Sequence, residues 1–240
     1  MTFSIIGFDP LKNRFGVAVS SCHIAVGSTV SFVRSQVGAV ATQGQTNPYL
    51  GIRSLESLQS CSDSKIVLED LIKEDFGREK RQVHLIDKYG RSACWTGQEW
   101  FQTSGHISGE NFSVAGNFLE NIEVLEVMAD VFKQSDPNIK LGKRLLDALN
   151  AGENIGGDKR SLRSTSSALK VSGELGFPLL DLRVDYHDSS LDELIRIYRH
   201  SQSKWAQEWR DSMNDLPEMN MKREFANLWQ LRRSGSLFIL

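Results

Sequence analysis

Thr2 is the residue with the most chemistry in reach, in a chain that begins Met1-Thr2-Phe3-Ser4. Once the initiator methionine is removed, this one residue presents a free α-amine and a β-hydroxyl. The hydroxyl is a nucleophile. The amine has an ordinary pKa of about 7.7–8.0, against about 10.4 for lysine, so it can take the hydroxyl proton near neutral pH. This is the threonine–N-terminal-amine form of an activated nucleophile. Threonine is small enough for methionine aminopeptidase to expose, and the chemistry depends on that removal.

Further polar groups collect where strands are expected to end. Ser20-Ser21-Cys22-His23 closes the second strand, beside the start of the first in a hairpin. A hydroxyl or imidazole there can orient the amine, and an ordinary turn accounts for the same residues. A Cys22–His23 thiol pair is disfavoured, because neighbours on a strand point to opposite faces. Gln43 and Asn47, in Thr42-Gln43-Gly44-Gln45-Thr46-Asn47-Pro48, can hold a substrate's polar atoms or cap the helix that follows. Gly116-Asn117 can offer backbone N–H groups and an amide to an oxyanion, and suits a tight turn equally well. Gly156-Gly157-Asp158-Lys159-Arg160 pairs conformational freedom with charges that suit a carboxylate-bearing substrate or a surface turn.

Several chemistries have no sequence support. There is no HExxH, no metal-ligand Cys/His spacing, no GxGxxG or Walker loop and no GxSxG elbow. No metal or cofactor is expected. The net charge of −2, with no dense Lys/Arg stripe, makes nucleic acid a poor partner. The three cysteines are far apart and odd in number, which fits free thiols in a reducing compartment. No basic n-region and no apolar run of about 18 residues stands out, so no membrane association and a cytoplasmic location are expected.

These residues need a scaffold, and its elements are legible as periodicities. Strands are expected over residues 2–8, 14–21, 24–33 and 38–43, with Val26, Ser28, Val30 and Phe32 sharing a face in the third. The first, second and fourth are apolar on both faces near their centres, as in a sheet covered on both sides. Helices follow over 49–60 and 64–75, then strands over 82–87, 91–96 and 112–115. Residues 120–133 form the clearest amphipathic helix. Another spans 141–149, with Asp136-Pro137 ahead of it as cap and first turn. Residues 163–171 and 180–184 read as the last strands, and Ser190 with Glu193 as a capping box. Antiparallel hairpins with helices collected between them point to α+β layers. The tail from about residue 202 carries Trp205, Trp209 and Trp229 and reads as helix–break–helix, with Pro217 in the break. It either packs on the body or makes a homodimer contact.

The ordered set Met1–Ile5, Gly16–Ser21, Ala25–Gly27, Val37–Gln43, Asn47-Pro48, Arg81–Val83, Asp87, Gly90, Thr96-Gly97, Gly105-His106, Gly109, Gly116-Asn117 and Gly156–Arg160 resembles a bacterial family. It is catalogued as domain of unknown function 1028 and placed in the N-terminal-nucleophile (Ntn) hydrolase superfamily. The likeness runs from residue 1 to about 187. It implies a four-layer αββα sandwich over 1–187, with 188–240 as a helical extension, and agrees with the two-sided burial read above. It implies Thr2 as nucleophile and base, with Ser20, Ser21 and Asn117 beside it. Gln43, Asn47, His106, Gly116, Asp158 and Arg160 are then substrate contacts. The chain departs from proteasome-type relatives, which place a helper acid near Ser20-Ser21 and a lysine on the strand matching Val37–Gln43. After Arg160, a serine-rich run replaces the family's usual glycine and Gln-Ser-Ala.

The expectation is therefore an amidohydrolase cleaving a small amide or acylated amino acid through an acyl-enzyme on Thr2, with no cofactor. The alternative is a binding or scaffold protein that keeps the sandwich without the chemistry. Self-association as a homodimer or larger homo-oligomer is expected from superfamily precedent and the aromatic tail.

Overall fold

Strand β1 (Thr2–Asp9) is the hub of the fold, and its alternating side chains divide the interior in two. In the computed structural model, residues 2–61, 63–99, 103–157, 160, 163–173 and 176–215 are described. Beyond β1 the strands are β2 (Arg14–Ser21), β3 (Ser31–Arg34), β4 (Gly38–Gly44), β5 (Arg81–Asp87), β6 (Ser92–Thr96), β7 (Gly105–Gly109), β8 (Phe112–Asn117), β9 (Ser166–Ser172) and β10 (Pro178–Val184). The helices are α1 (Pro48–Ser60), α2 (Ser64–Glu74), α3 (Glu123–Gln134), α4 (Leu141–Asn154), α5 (Ser190–Ser201) and α6 (Lys204–Asp211). One sheet has the order β10-β9-β2-β1-β8-β7 and the other β3-β4-β5-β6. Their strand pairs are antiparallel.

Three apolar clusters show which faces are covered. Phe3 and Ile5 of β1 pack with Leu125, Met128 and Phe132 of α3, Leu145 and Leu149 of α4, and Leu194 and Tyr198 of α5. Ile6 and Phe8, of the opposite parity, pack with Val17 and Val19 of β2 and reach Ala39, Ala41 and Ile86 of the other sheet. Val40 and Leu85, on that sheet's far face, pack with Leu50 and Leu58 of α1 and Leu68 and Leu71 of α2. The fold is α+β, with two antiparallel sheets and six helices among the described residues.

Several local expectations are corrected. Residues 24–33 are not one strand. Ala25 has φ 55 and Val26–Ser28 form a 3-10 turn, so only Ser31–Arg34 pairs. The Ser166 hydroxyl accepts the Val26 amide at 3.1 Å. A Cβ at Gly27 would meet that of Ala168, so this segment dives onto β9 instead of extending. Asp136 does not cap α4; it accepts the Asn138 amide at 2.9 Å in its own turn. Ser190 makes no capping box: it lies inside α5, its amide donates to the Ser164 carbonyl at 3.1 Å, and the Glu193 amide donates to the Ser189 carbonyl at 3.1 Å. Strand β7 was not anticipated.

The chain divides into two units, the first ending at Arg199 and the second starting at His200. In the first, Leu191, Leu194 and Tyr198 of α5 belong to the core. In the second, α6 carries Trp205 and Trp209, while Pro217 and Trp229 lie outside the described residues. No helix among the described residues is long and apolar enough to cross a membrane.

Candidate functional site

Parity on β1 sends Thr2 and Ser4 to the same face as Ile6, toward the second sheet. Thr2 is opposite Ser21 on β2 and opposite Asn117 on β8, so a central strand brings the three together. The Thr2 hydroxyl donates to Ser21 Oγ at 3.3 Å. Ser21 Oγ also accepts the His23 amide at 3.1 Å. Ser20 is not brought to this group. It shares parity with Ala18, which packs under the helices, and its Oγ is 2.7 Å from Ser167 Oγ. Thr2 keeps 5% of its surface exposed.

Below Thr2 the two sheets are joined by a buried hydrogen-bond network whose polarity is set by backbone carbonyls. Gln82 Nε2 donates to the carbonyls of Gly105 and Gly116 at 3.0 and 2.9 Å and also reaches Thr96 Oγ1 at 2.9 Å. Carbonyls only accept, so the Gln82 amide has one orientation and its Oε1 is an acceptor. That oxygen takes Gln43 Nε2 at 2.7 Å and Asn117 Nδ2 at 2.9 Å. Gln43 Nε2 donates as well to the Thr2 carbonyl at 3.3 Å. Gln43 Oε1 therefore accepts, and the Ser4 hydroxyl donates to it at 2.8 Å. Ser4 Oγ must then accept from His84 Nε2, also at 2.8 Å. This leaves His84 Nδ1 as an acceptor for the Ser113 hydroxyl at 2.8 Å. One chain of donors thus fixes His84 as the neutral Nε2–H tautomer. Burial lowers its pKa from 6.5 to about 3, with His106 adding repulsion. Further along, the space between the sheets turns apolar, with Ile6, Val17, Ala41 and Ile86.

The other expected residues are placed as follows. Asn47 is spent on the fold: its side chain caps α1 by accepting the Tyr49 amide at 3.2 Å. Gly116 serves the network through its carbonyl. His106, on β7, is 2.9 Å from Thr96 Oγ1 through Nδ1, and burial lowers its pKa. Arg160 stacks its guanidinium 5.3 Å from the Phe118 ring centre, next to Asn117 in sequence. Asp158 lies outside the described residues. Sequence reading missed Ser4, Gln82 and Ser113, all fully buried. A signal was there: each is a polar residue within an expected strand, on the face that alternation assigns to the interior. His84 was seen only as one of several scattered histidines.

The cluster can offer a hydroxyl nucleophile, a neighbouring hydroxyl and one amide held by a second. Among the described residues no group of three His, Cys, Asp or Glu side chains could hold a metal. A model of a family of unknown function, DUF1028, matches residues 2–194. The crystal structure of a Silicibacter pomeroyi protein assigned to the same family superposes with a TM-score of 0.80 at 27% identity, covering 87% of this chain and 93% of that one. Among curated proteins, none matches the chain.

Proposed function

The chain belongs to the DUF1028 family, and from that premise we propose an Ntn-type amidohydrolase acting on a small amide or acylated amino acid. The three apolar clusters support reading the two sheets and six helices as a four-layer αββα sandwich of the Ntn kind. The observation that carries the reading is Thr2 itself. It stands at the end of the central strand, its hydroxyl against Ser21 and its neighbour across the ladder an amide-bearing Asn117.

With Met1 removed, the Thr2 hydroxyl attacks the substrate carbonyl and the Thr2 amine takes its proton. The amine passes that proton to the leaving nitrogen as the C–N bond breaks, giving an ester on Thr2. Water then attacks the ester, delivering its proton back through the amine, and releases the acid. Asn117 Nδ2 has two hydrogens and donates one to Gln82, so the other is available to a developing oxyanion. Ser21 positions the nucleophile. The substrate would be uncharged near the bond, since the surrounding side chains are neutral amides and hydroxyls.

The test is hydrolysis of a panel of small amides and N-acyl amino acids by the mature chain and by Thr2→Ala. Loss of at least about a hundredfold in the variant is expected; equal rates would remove Thr2 from the chemistry. A second reading, a non-catalytic binding or scaffold protein, is favoured by the 5% exposure of Thr2. Intact-mass measurement separates the two. A chain starting at Thr2 retains the amine, whereas a retained Met1 turns that nitrogen into an amide and leaves only binding.

A further inference from the structure

A cavity of about 690 Å³ lies away from Thr2, where α2 faces the edge strands β6 and β7. β6 ends the four-stranded sheet and β7 ends the six-stranded one. Leu68 and Ile72 of α2 and Ala93 and Trp95 of β6 give it an apolar wall. The indole of Trp95 is fixed by donation of its Nε1–H to the Arg78 carbonyl at 2.9 Å. Around this wall stand three cations, Lys65, Lys73 and Arg78, against one lining carboxylate, Glu69. Lys65 has no ion pair among the described residues. Lys73 and Arg78 have only long, exposed ones, to Asp70 at 3.6 Å and Glu79 at 3.7 Å, and such pairs yield readily to a competing anion. His106 lines the same cavity. Its Nδ1 is taken by Thr96, so Nε2 is the ring nitrogen left for a ligand.

We propose that this groove is a binding site for a small amphipathic carboxylate, an acyl chain or aryl group ending in one carboxyl. The volume falls within the range of small-molecule sites, about 300–1,000 Å³. The tail lies along Leu68, Ile72 and Trp95, and the carboxylate sits among the lysines and Arg78. A purely apolar ligand would gain nothing from the cations around the rim, and a purely ionic one would leave the indole and aliphatic wall wet. Binding here does not depend on the Thr2 chemistry, although Thr96 and Gln82 join His106 to the network beneath Thr2.

The experiment is calorimetric titration of the full chain with octanoate, octanamide and acetate. Octanoate should bind saturably, and octanamide and acetate at least roughly tenfold more weakly. The triple variant Lys65→Gln/Lys73→Gln/Arg78→Gln should erase the preference for octanoate over octanamide. Ala93→Phe should block both ligands by filling the groove, and the triple variant keeps the test decisive if that one fails to fold. Thr2→Ala should bind octanoate as the wild type does, so loss of hydrolysis and loss of this site remain separable. Equal affinities for octanoate and octanamide, no octanoate binding, or a preference that survives in the triple variant would each overturn the proposal.

Discussion

His84 carries the most testable energetics of any single residue here. Its two ring nitrogens are matched to Ser4 and Ser113, one as donor and one as acceptor in the neutral form. Burial, with repulsion from His106, holds the folded-state pKa at about 3, against 6.5 ordinarily. In the window between those values the unfolded chain binds a proton that the folded chain refuses. The contribution of this residue to stability is therefore complete above about pH 6.5 and is lost as pH falls toward 3, on the order of 1 kcal/mol per unit. His106, also lowered, acts in the same direction. Urea midpoints between about pH 7 and 5, above the range where ordinary carboxylates titrate, should fall for the wild type and less steeply for His84→Gln. A wild-type midpoint that stays level across that interval would show that His84 titrates normally. Cys94, opposite His84 on β6, is pushed up to about 11 by burial and stays a thiol throughout.

At the scale of elements, the approach of α3 and α4 to the six-stranded sheet depends on two glycines that face each other across β1 and β2, Gly7 and Gly16. A Cβ on Gly7 would lie 2.9 Å from Phe132 Cζ, and one on Gly16 would lie 2.6 Å from Leu145 Cδ1. The helices sit where side chains would otherwise be. Gly16→Val should cost roughly 1–3 kcal/mol through forced displacement of Leu145 and α4, read as a lowered urea midpoint with an unchanged slope. A stability equal to wild type would mean that α4 is free to shift. The same elements show what could be read in advance. β1, β2 and β4 were legible because apolar residues run through both faces, and α1 and α2 because Leu and Ile recur at helical spacing. β7, Gly-His-Ile-Ser-Gly, has too few apolar residues to declare a strand; it is held by pairing with β8. The 24–33 segment misled because Val26 and Val30 are buried whether the chain is extended or turned. The candidate site was legible only in part. Alternation predicts that Ser20 and Ser21 part company, and that Ser21 follows Thr2. Gln82 as the joint between sheets depends on sheet pairing, which no local pattern encodes.

For the molecule as a whole, the question is where the folding unit ends. The family match stops at residue 194, yet the first unit continues to Arg199 because α5 closes the core over α4. Leu191, Leu194 and Tyr198 are all buried there, and a Cβ on Gly142 of α4 would lie 3.1 Å from Tyr198 Cε2. Removing α5 would expose the counterparts of three large side chains, each contributing about 1.5–3 kcal/mol on burial. Their sum approaches the whole stability of an ordinary domain, about 5–15 kcal/mol. A chain stopped at residue 187, where the family resemblance fades in the sequence, should therefore fail to unfold cooperatively and should bind hydrophobic dyes. A chain stopped at residue 203 keeps α5 and should unfold in one transition, with the acid sensitivity that His84 confers. If the shorter chain proves as cooperative as the longer, α5 is an ornament on a core already complete. If the longer one also collapses, the second unit is part of the fold's stability and the division at His200 has no energetic meaning.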